Sequence, residues 1–512
     1  MTSPAKPLAA ALVNEVPSAD VLAESDGLVR IAVDLDDLER AVHGLAGMAG
    51  SRFADLFAAS GRDETTVLHV LWALDEDGAY VMLESRIVGE EYPPLSDIAP
   101  AAFLEECETY EQYGLRPAGG KPLNRVSIPP QSDHDVPRLG HAPSTPPQDV
   151  HAPHVVGGNA FEFPVGPVRM AGAESLYYGL VTSGEEVVDL YLFTWHKYRG
   201  LEWRLRGMTP REALFLVERV EGLSAVSLAW AFASAVESAL RLTPTLAACR
   251  TRAIALELER LYNHVAAIAA LCQATGLSVG QANAEIALER LLRVNAAVFG
   301  HRYLFGVIDL GGAARPPDLA ALRSGLPGAI EELRAVTDRL STTNSFLDRL
   351  EATGILHAEQ SSRLGLVGPV ARATGMDIDV RARHPHRPYD VLRPETILRH
   401  SGDGFARYEV LVAEIEESVR LLDQLAEDKC EASAPSLPAE QGVGLGWAES
   451  PRGEALAFVR LDEHGRIERA RLRPASVRNW RAFDDACRSQ NVFTDVPIIE
   501  ASFWLTVAGT AR

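Results

Sequence analysis

Residues 247–273 read as one uninterrupted helix, and a helix of that length dictates a helical body built around it. Leu258, Leu261, Tyr262, Val265 and Ile268 recur at spacings of three and four, which places them on one face. A second helix is expected from about Ser278 to Phe299, stopped near Gly300, with others at about 329–351 and 404–425. Thr209-Pro210-Arg211-Glu212 forms a capping box with Pro at the first helical position, and Gly222 reads as a stop or kink. The longest charge-free run, Val265–Ala284, is interrupted by Gln273, Thr275, Gly276, Ser278, Gln281 and Asn283. A membrane span needs ~20 predominantly apolar residues, so none is expected here and membrane attachment would come through partners. Met1–Leu12 has one Lys and no extended apolar core, so no signal peptide is expected.

The flanks read differently. Residues 20–125 mix short strands with helical patches, including Thr66–Leu74 and Ala79–Glu84 around the Asp75–Gly78 turn. Ser127–Val156 is rich in Pro and His and reads as an extended linker with little to bury. Its His134, His141, His151 and His154 lack cysteines and regular spacing, so a solvated linker is expected rather than a metal site. Tyr177–Phe193 is strand-like, Cys430–Gly446 reads as a second connector, and Ala455–Leu461, Gly465 and Ile467–Leu472 as strand, turn and strand. A net charge of −21 makes nucleic acid a poor partner. The five cysteines, 107, 249, 272, 430 and 487, never stand as Cys-x-x-Cys, which argues for a reducing compartment and buried apolar roles. No P-loop, His-Glu-x-x-His or nucleophile elbow is present, and Gly442-x-Gly444-x-Gly446 lacks the strand and full fingerprint of a dinucleotide site.

Residues 256–312, LELERLYNHVAAIAALCQATGLSVGQANAEIALERLLRVNAAVFGHRYLFGVIDLGG, closely resemble the large subunits of membrane-bound, energy-converting nickel–iron hydrogenases, formate hydrogenlyase included, and the homologous quinone-site subunit of complex I. Further matches follow in the family's order: Gly365–Ala373, then Gly375; Arg381 with His384-Pro385 and Tyr389-Asp390; Gly402-Asp403 with Ala406-Arg407; Pro451-Arg452-Gly453-Glu454; and Asp495–Ile499. The N-terminal part resembles the small α/β subunit that sits beside this one in complex I, at Pro93–Asp97 and Glu106–Leu115. The resemblance implies an α+β chain: a small α/β domain over residues 1–126, a linker over 127–156, and a mainly α-helical hydrogenase-large-subunit-like domain with peripheral β elements over 157–512.

In the family a nickel–iron centre takes four thiolates from two Cys-x-x-Cys pairs. On the matching segments here, Glu221 and Ser224 replace the first pair and Thr506 and Gly509 the second. Thiolates suit these metals and a carboxylate with two hydroxyls does not, so no metal site is expected. Complex I also lacks the cysteines and holds a quinone with a turn His and a Tyr. Here the turn, 166–174, has no His, and Gly222 takes the place of the Tyr. Arg169, Tyr177, Tyr178 or Tyr198 would have to serve as donors instead. Arg199-Gly200-Leu201-Glu202 matches a motif whose Glu relays protons near the metal. A buried Glu with a raised pKa can pass protons near neutrality. Pairing with an Arg is the competing role for Glu202, and core packing the expected one for His264 and His301. Glu202 and Glu221, braced by Arg219, are the candidate catalytic residues.

The resemblance further implies a hetero-oligomer with a small iron–sulfur subunit and antiporter-like membrane subunits, on the cytoplasmic, inner face of the cell membrane. Iron–sulfur clusters and any NAD would belong to partners, and this chain would bind no cofactor except a quinone at most. It would couple electron transfer to proton or ion movement without a nickel–iron centre. The rival expectation is a non-catalytic scaffold whose cavity Phe503, Trp504 and Leu505 fill, an open polar cavity marking the first reading and a Trp504 plug the second.

Overall fold

Strands β1 (Asp20–Ser25), β2 (Leu28–Ala32), β3 (Ser51–Ser60), β4 (Thr66–Leu74) and β5 (Ala79–Ile87) form one sheet in the order β1-β2-β5-β4-β3. The computed structural model describes residues 15–512 apart from 26, 62–64, 131–135, 150–159, 170–173, 195, 428 and 489. β4 and β5 pair around a turn whose Gly78 has a φ of 64°, a conformation glycine adopts without steric cost. Helix α1 (Leu35–Ala46) covers one face with Leu38, Ala41, Val42 and Leu45, the three-and-four spacing of an amphipathic helix. The opposite face does not meet solvent. Phe57, Leu71, Tyr80 and Met82 pack there against Leu445, Trp447, Leu456 and Phe458 from the far end of the chain.

Helix α2 (Phe103–Tyr113) closes the N-terminal unit. The described part of the Pro/His-rich segment, 136–149, corrects the expectation of a free linker. Arg138 Nε donates to the Glu111 carbonyl at 2.9 Å, Gly140 N to that of Gln112 at 3.0 Å, and Tyr110 Oη to that of Thr145 at 2.5 Å. Leu139 is buried in the N-terminal core. A proline-rich chain cannot bond to itself, so its carbonyls and few amides bond to the neighbouring helix. His141 is exposed, while His134, His151 and His154 lie outside the described residues.

A three-stranded sheet of β6 (Ala160–Val165), β7 (Tyr177–Ser183) and β8 (Glu186–Phe193) leads into the helical body. Short helices α3 (Leu201–Arg204) and α4 (Pro210–Val217) follow, and the Thr209 capping box is formed. Then come α5 (Ala225–Leu240), α6 (Leu246–Ala274), α7 (Ser278–Phe299), α8 (Leu319–Leu340) and α9 (Gly404–Leu425). α6 lies at the centre, buried along nearly its whole length. α8 departs from the expected 329–351. It starts ten residues earlier, where the Asp318 carboxylate accepts from the amides of Ala320 and Ala321, and it tolerates Pro327 inside. It ends at Leu340, because the Ser341 and Thr343 hydroxyls bond back to the carbonyls of Asp338 and Arg339.

A further sheet, β9 (Gly442–Ser450), β10 (Gly453–Leu461) and β11 (Ile467–Arg473), is antiparallel throughout. Its first strand begins inside the expected connector, which therefore ends before Gly442. Gly442, Gly444 and Gly446 face α5, where a Cβ would overlap the carbonyls of Ala239, Ala235 and Ala231. The period of two on the strand meets the period of four on the helix, so the glycine run brings two backbones into contact. Helices α10 (Phe483–Arg488) and α11 (Val496–Phe503) complete the fold, which is mixed α+β with the sheet-containing region first.

Candidate functional site

Three segments converge beside α6: the turn between α4 and α5 carrying Glu221 and Ser224, the β9–β10 hairpin carrying Arg452, and the chain after α11 from Trp504 to Arg512. Arg452 is their common partner. Its Nη1 donates to Ser224 Oγ at 2.8 Å and stands 3.9 Å from Glu221 Oε2, and its Nε donates to the Trp504 carbonyl at 2.5 Å. Trp504 has a φ of 51°, which turns the chain off α11, and its ring lies 5.9 Å from the Arg452 guanidinium. Its Nε1 reaches Asn263 Oδ1 at 3.4 Å. Gly509 packs on the Glu221 carboxylate so closely that a Cβ would overlap Oε1. Thr506 turns away and donates to Glu174 Oε1 at 2.8 Å, while the amides of Val507 and Ala508 donate to the same carboxylate.

Three of the four positions that the family's metal ligands would occupy, those of Glu221, Ser224 and Gly509, therefore meet at one point, around a guanidinium. These residues do not fit a nickel–iron centre. No thiolate is among them, and the buried cation of Arg452 bonds where soft anionic ligands would be required. Burial raises the Glu221 carboxyl above its ordinary range, with Arg452 opposing. Its Oε1 has no hydrogen-bond partner among the described residues.

Glu202 sits in a different environment. Its carboxylate meets Arg469 Nη1 at 2.8 Å, Arg512 Nε at 3.1 Å and the amide of Leu472 at 3.0 Å, with Arg471 at 3.9 Å. Burial alone would raise it, but Arg469, Arg471 and Arg512 outweigh burial and hold it down at about 2. The physical condition for a neutral-pH relay, a raised pKa, is the reverse of what Glu202 has. Gly509 packs on Glu221, and its carbonyl accepts from Arg512, which pairs Glu202. The tail thus stands between the two acids. Arg219 braces neither. It pairs with Glu218, donates to the Phe215 carbonyl and lies over the rings of Phe215 and Phe305. Its side chain folds back along α4 while that of Glu221 turns into the interior, so adjacency in sequence is not proximity.

The alternative donors are committed as well. Arg169 Nη1 meets both oxygens of Glu500, at 2.7 and 2.9 Å. Tyr177 Oη donates to Glu162 and Tyr198 Oη to the Pro137 carbonyl. Tyr178 is buried. The rest of that turn, 170–173, lies outside the described residues. His264 is buried against Glu414 at 2.9 Å, and His301 Nδ1 accepts from the amide of Tyr303.

Sequence reasoning missed Glu174, three acceptor bonds on one carboxylate, and Glu259, which accepts from the amides of Val226 and Ser227 at the start of α5. Burial raises Glu259 to about 7. The available signal was the density of polar and ionisable side chains in a helix whose apolar residues run all round it: Glu257, Glu259, Arg260, Asn263 and His264 within about two turns of α6, all buried.

Residues 286–442 match the family described as respiratory-chain NADH dehydrogenase, 49 Kd subunit. The chain is homologous to formate hydrogenlyase subunit 5 of Escherichia coli (strain K12), with 26% identity over 80% of this chain and 75% of that one. Hydrogenase-4 component G of the same organism is 27% identical over 86% and 81%, and the C/D subunit of NADH-quinone oxidoreductase from Phocaeicola vulgatus 24% identical over 78% and 83%. In fold it is similar to a chain of the membrane-bound sulfane sulfur reductase, an archaeal respiratory membrane complex, with a TM-score of 0.62 and 21% identity over 70% of this chain and all of that one. By name these relatives are components of formate hydrogenlyase, hydrogenase-4 and NADH-quinone oxidoreductase, and the structural neighbour is a chain of a membrane complex. Among the described residues no helix is long and apolar enough to cross a membrane.

Proposed function

We propose that the chain serves its redox complex as an assembly and proton-handling subunit, with electron-carrying groups on its partners. The observation that carries this is the Arg452 guanidinium bonded to Ser224 and the Trp504 carbonyl beneath the Trp504 ring. A guanidinium packed and bonded in this way supplies rigidity, and it offers no coordination position. On this reading the chain binds no cofactor. Iron–sulfur clusters sit on a small partner subunit, NAD if used on another, and antiporter-like membrane subunits anchor the assembly at the inner face of the membrane. The work is to hold those partners in register while electron flow drives proton or ion movement.

The experiment is affinity purification from gently solubilised membranes, with mass spectrometry of what is recovered. Recovery of a small iron–sulfur subunit with antiporter-like proteins is the expected result. Recovery of the chain alone, from the soluble fraction, overturns it.

One observation favours a second reading, in which a quinone-like acceptor is reduced against this chain. Glu221 is a buried acid whose Oε1 is unpartnered among the described residues, and burial favours its protonated form. Such a group can give a proton to a reduced acceptor, a contribution of roughly 10²–10⁴-fold. Glu221→Gln in the purified complex separates the two readings. Turnover within about twofold of wild type supports the assembly role, and a loss of about 100-fold or more supports the acceptor site.

A further inference from the structure

Between α6, α9, β9 and the segment 372–389 lies a group of ionisable side chains that the vestigial site does not use. Four carboxylates belong to it, those of Glu257, Asp379, Glu414 and Glu449, with three guanidiniums, those of Arg260, Arg372 and Arg381, and one imidazole, His264. All are buried, none more than 3% exposed. Glu257 accepts from Arg381 at 3.0 Å, Tyr389 at 2.6 Å and Ser418 at 2.7 Å, with Arg260 at 3.3 Å. Asp379 accepts from Arg381 at 2.7 Å. Glu414 accepts from Arg372 Nε at 2.7 Å and faces His264 Nε2 at 2.9 Å. Glu449 has, among the described residues, only Arg372 Nη1 at 2.8 Å and the amide of Val380 at 3.1 Å.

Four acids against three guanidiniums leave one negative charge in excess. An uncompensated charge in a dry interior is costly enough that the group neutralises instead. The neutralising proton has two places to go: His264, or the carboxylate with the fewest cationic partners within 4 Å, which is Glu449, facing Arg372 alone where Glu257, Asp379 and Glu414 each face at least two. We propose that this cluster is a proton-binding site that holds one exchangeable proton, carried in its resting state on Glu449.

The surroundings agree. Burial and then Asp379 raise the Glu449 carboxyl to about 7 against the pull of Arg372 and Arg260, and burial lowers the His264 imidazole despite Glu414. The other charged groups near Glu449 have partners of their own. Glu454, opposite it across the hairpin, is held by Arg52, Arg473 and Tyr80, and Arg452 faces Ser224 and Glu221. His386 is bonded to the Trp447 carbonyl, and burial lowers its pKa to about 4. Arg260 donates to the main-chain carbonyls of Glu449 and Ser450, just ahead of Arg452. A change of charge in the cluster is therefore felt at the base of the hairpin that fills the vestigial site. The site needs no cofactor, so it stands or falls apart from the assembly role.

The test is infrared spectroscopy of the purified chain, or of the complex in which it is recovered, read as the protonated-carboxyl band lost on raising pH through neutrality. Glu111 and Glu259 contribute to that band as well, since burial raises each to about 7, so variants are compared with wild type. Glu449→Gln is expected to remove one carboxyl component, and a difference titration to show one proton fewer released. Asp379→Asn is expected to remove the same component although Glu449 remains, because three acids then face three guanidiniums. Wild-type and Glu449→Gln spectra that superimpose overturn the proposal. If Glu449→Gln does not fold, survival of the component in Asp379→Asn overturns it on its own.

Discussion

Replacing Glu202 by Gln takes from the buried Arg469 guanidinium the carboxylate that faces it and leaves Arg512 with Glu108. Removing one member of a buried ion cluster costs about 3–5 kcal/mol, and urea unfolding at neutral pH should read a loss of that size. The sign with pH follows from the depressed carboxyl. Its folded value of about 2 lies below the ordinary 4.5, so the stability it contributes is present above about 4.5 and is lost as pH falls toward 2. Wild type should therefore show a steep acid limb over that window and Glu202→Gln a flatter one, with equal slopes falsifying the assignment. The Arg-Gly-x-Glu motif made Glu202 legible in the sequence, but its partners were not. Arg469 and Arg512 lie 267 and 310 residues further on, and no local pattern links cations to an acid at that separation. Arg219 failed for the opposite reason, since nearness in sequence to Glu221 hid the turn that sends the two side chains apart.

At the level of elements, period carried most of what could be read. α6, α7 and α9 fall within about a residue of their expected bounds because their apolar spacing and their caps agree. The start of α8 escaped because Pro327 reads as a break, whereas the Asp318 cap lies upstream of it. The glycine run at 442–446 escaped because its glycines read as loop punctuation, although Val443, Leu445 and Trp447 alternate with them and form the strand's apolar face. Its role is testable. Gly444→Ala places a methyl group against the Ala235 carbonyl and should cost about 1–3 kcal/mol, seen as a lowered Tm. Gly222→Ala is the control, because open space surrounds that position and its φ is not in the left-handed region, so a change within about 0.5 kcal/mol is expected. Equal shifts in the two variants would remove the steric account of the helix–strand contact.

Over the whole molecule, the N-terminal sheet and the β9–β11 sheet share one apolar layer and one layer of charge. Phe57 packs on Phe458 with ring centres 4.9 Å apart, and Tyr80 on Trp447 at 4.8 Å. Around that layer Asp55 meets Arg471 at 2.9 and 3.0 Å, Glu454 receives Arg52 and Tyr80 at 2.6 Å each, and Arg478 donates to the carbonyls of Ala54 and Ala101. Neither unit can leave the other without exposing aromatic rings and stranding buried charges, which couples their unfolding. The full chain should therefore melt in one calorimetric transition whose van't Hoff and calorimetric enthalpies agree. Asp55→Asn should lower that transition without splitting it, because Arg471 loses its two bonds to Asp55 but keeps Glu108, and the apolar layer still joins the sheets. Two resolved transitions in wild type would mean that the joint is only a contact. A joint that melts as one body is what a subunit needs if it is to transmit the position of one partner to another, and rigidity here comes from buried ion pairs whose partners lie hundreds of residues apart.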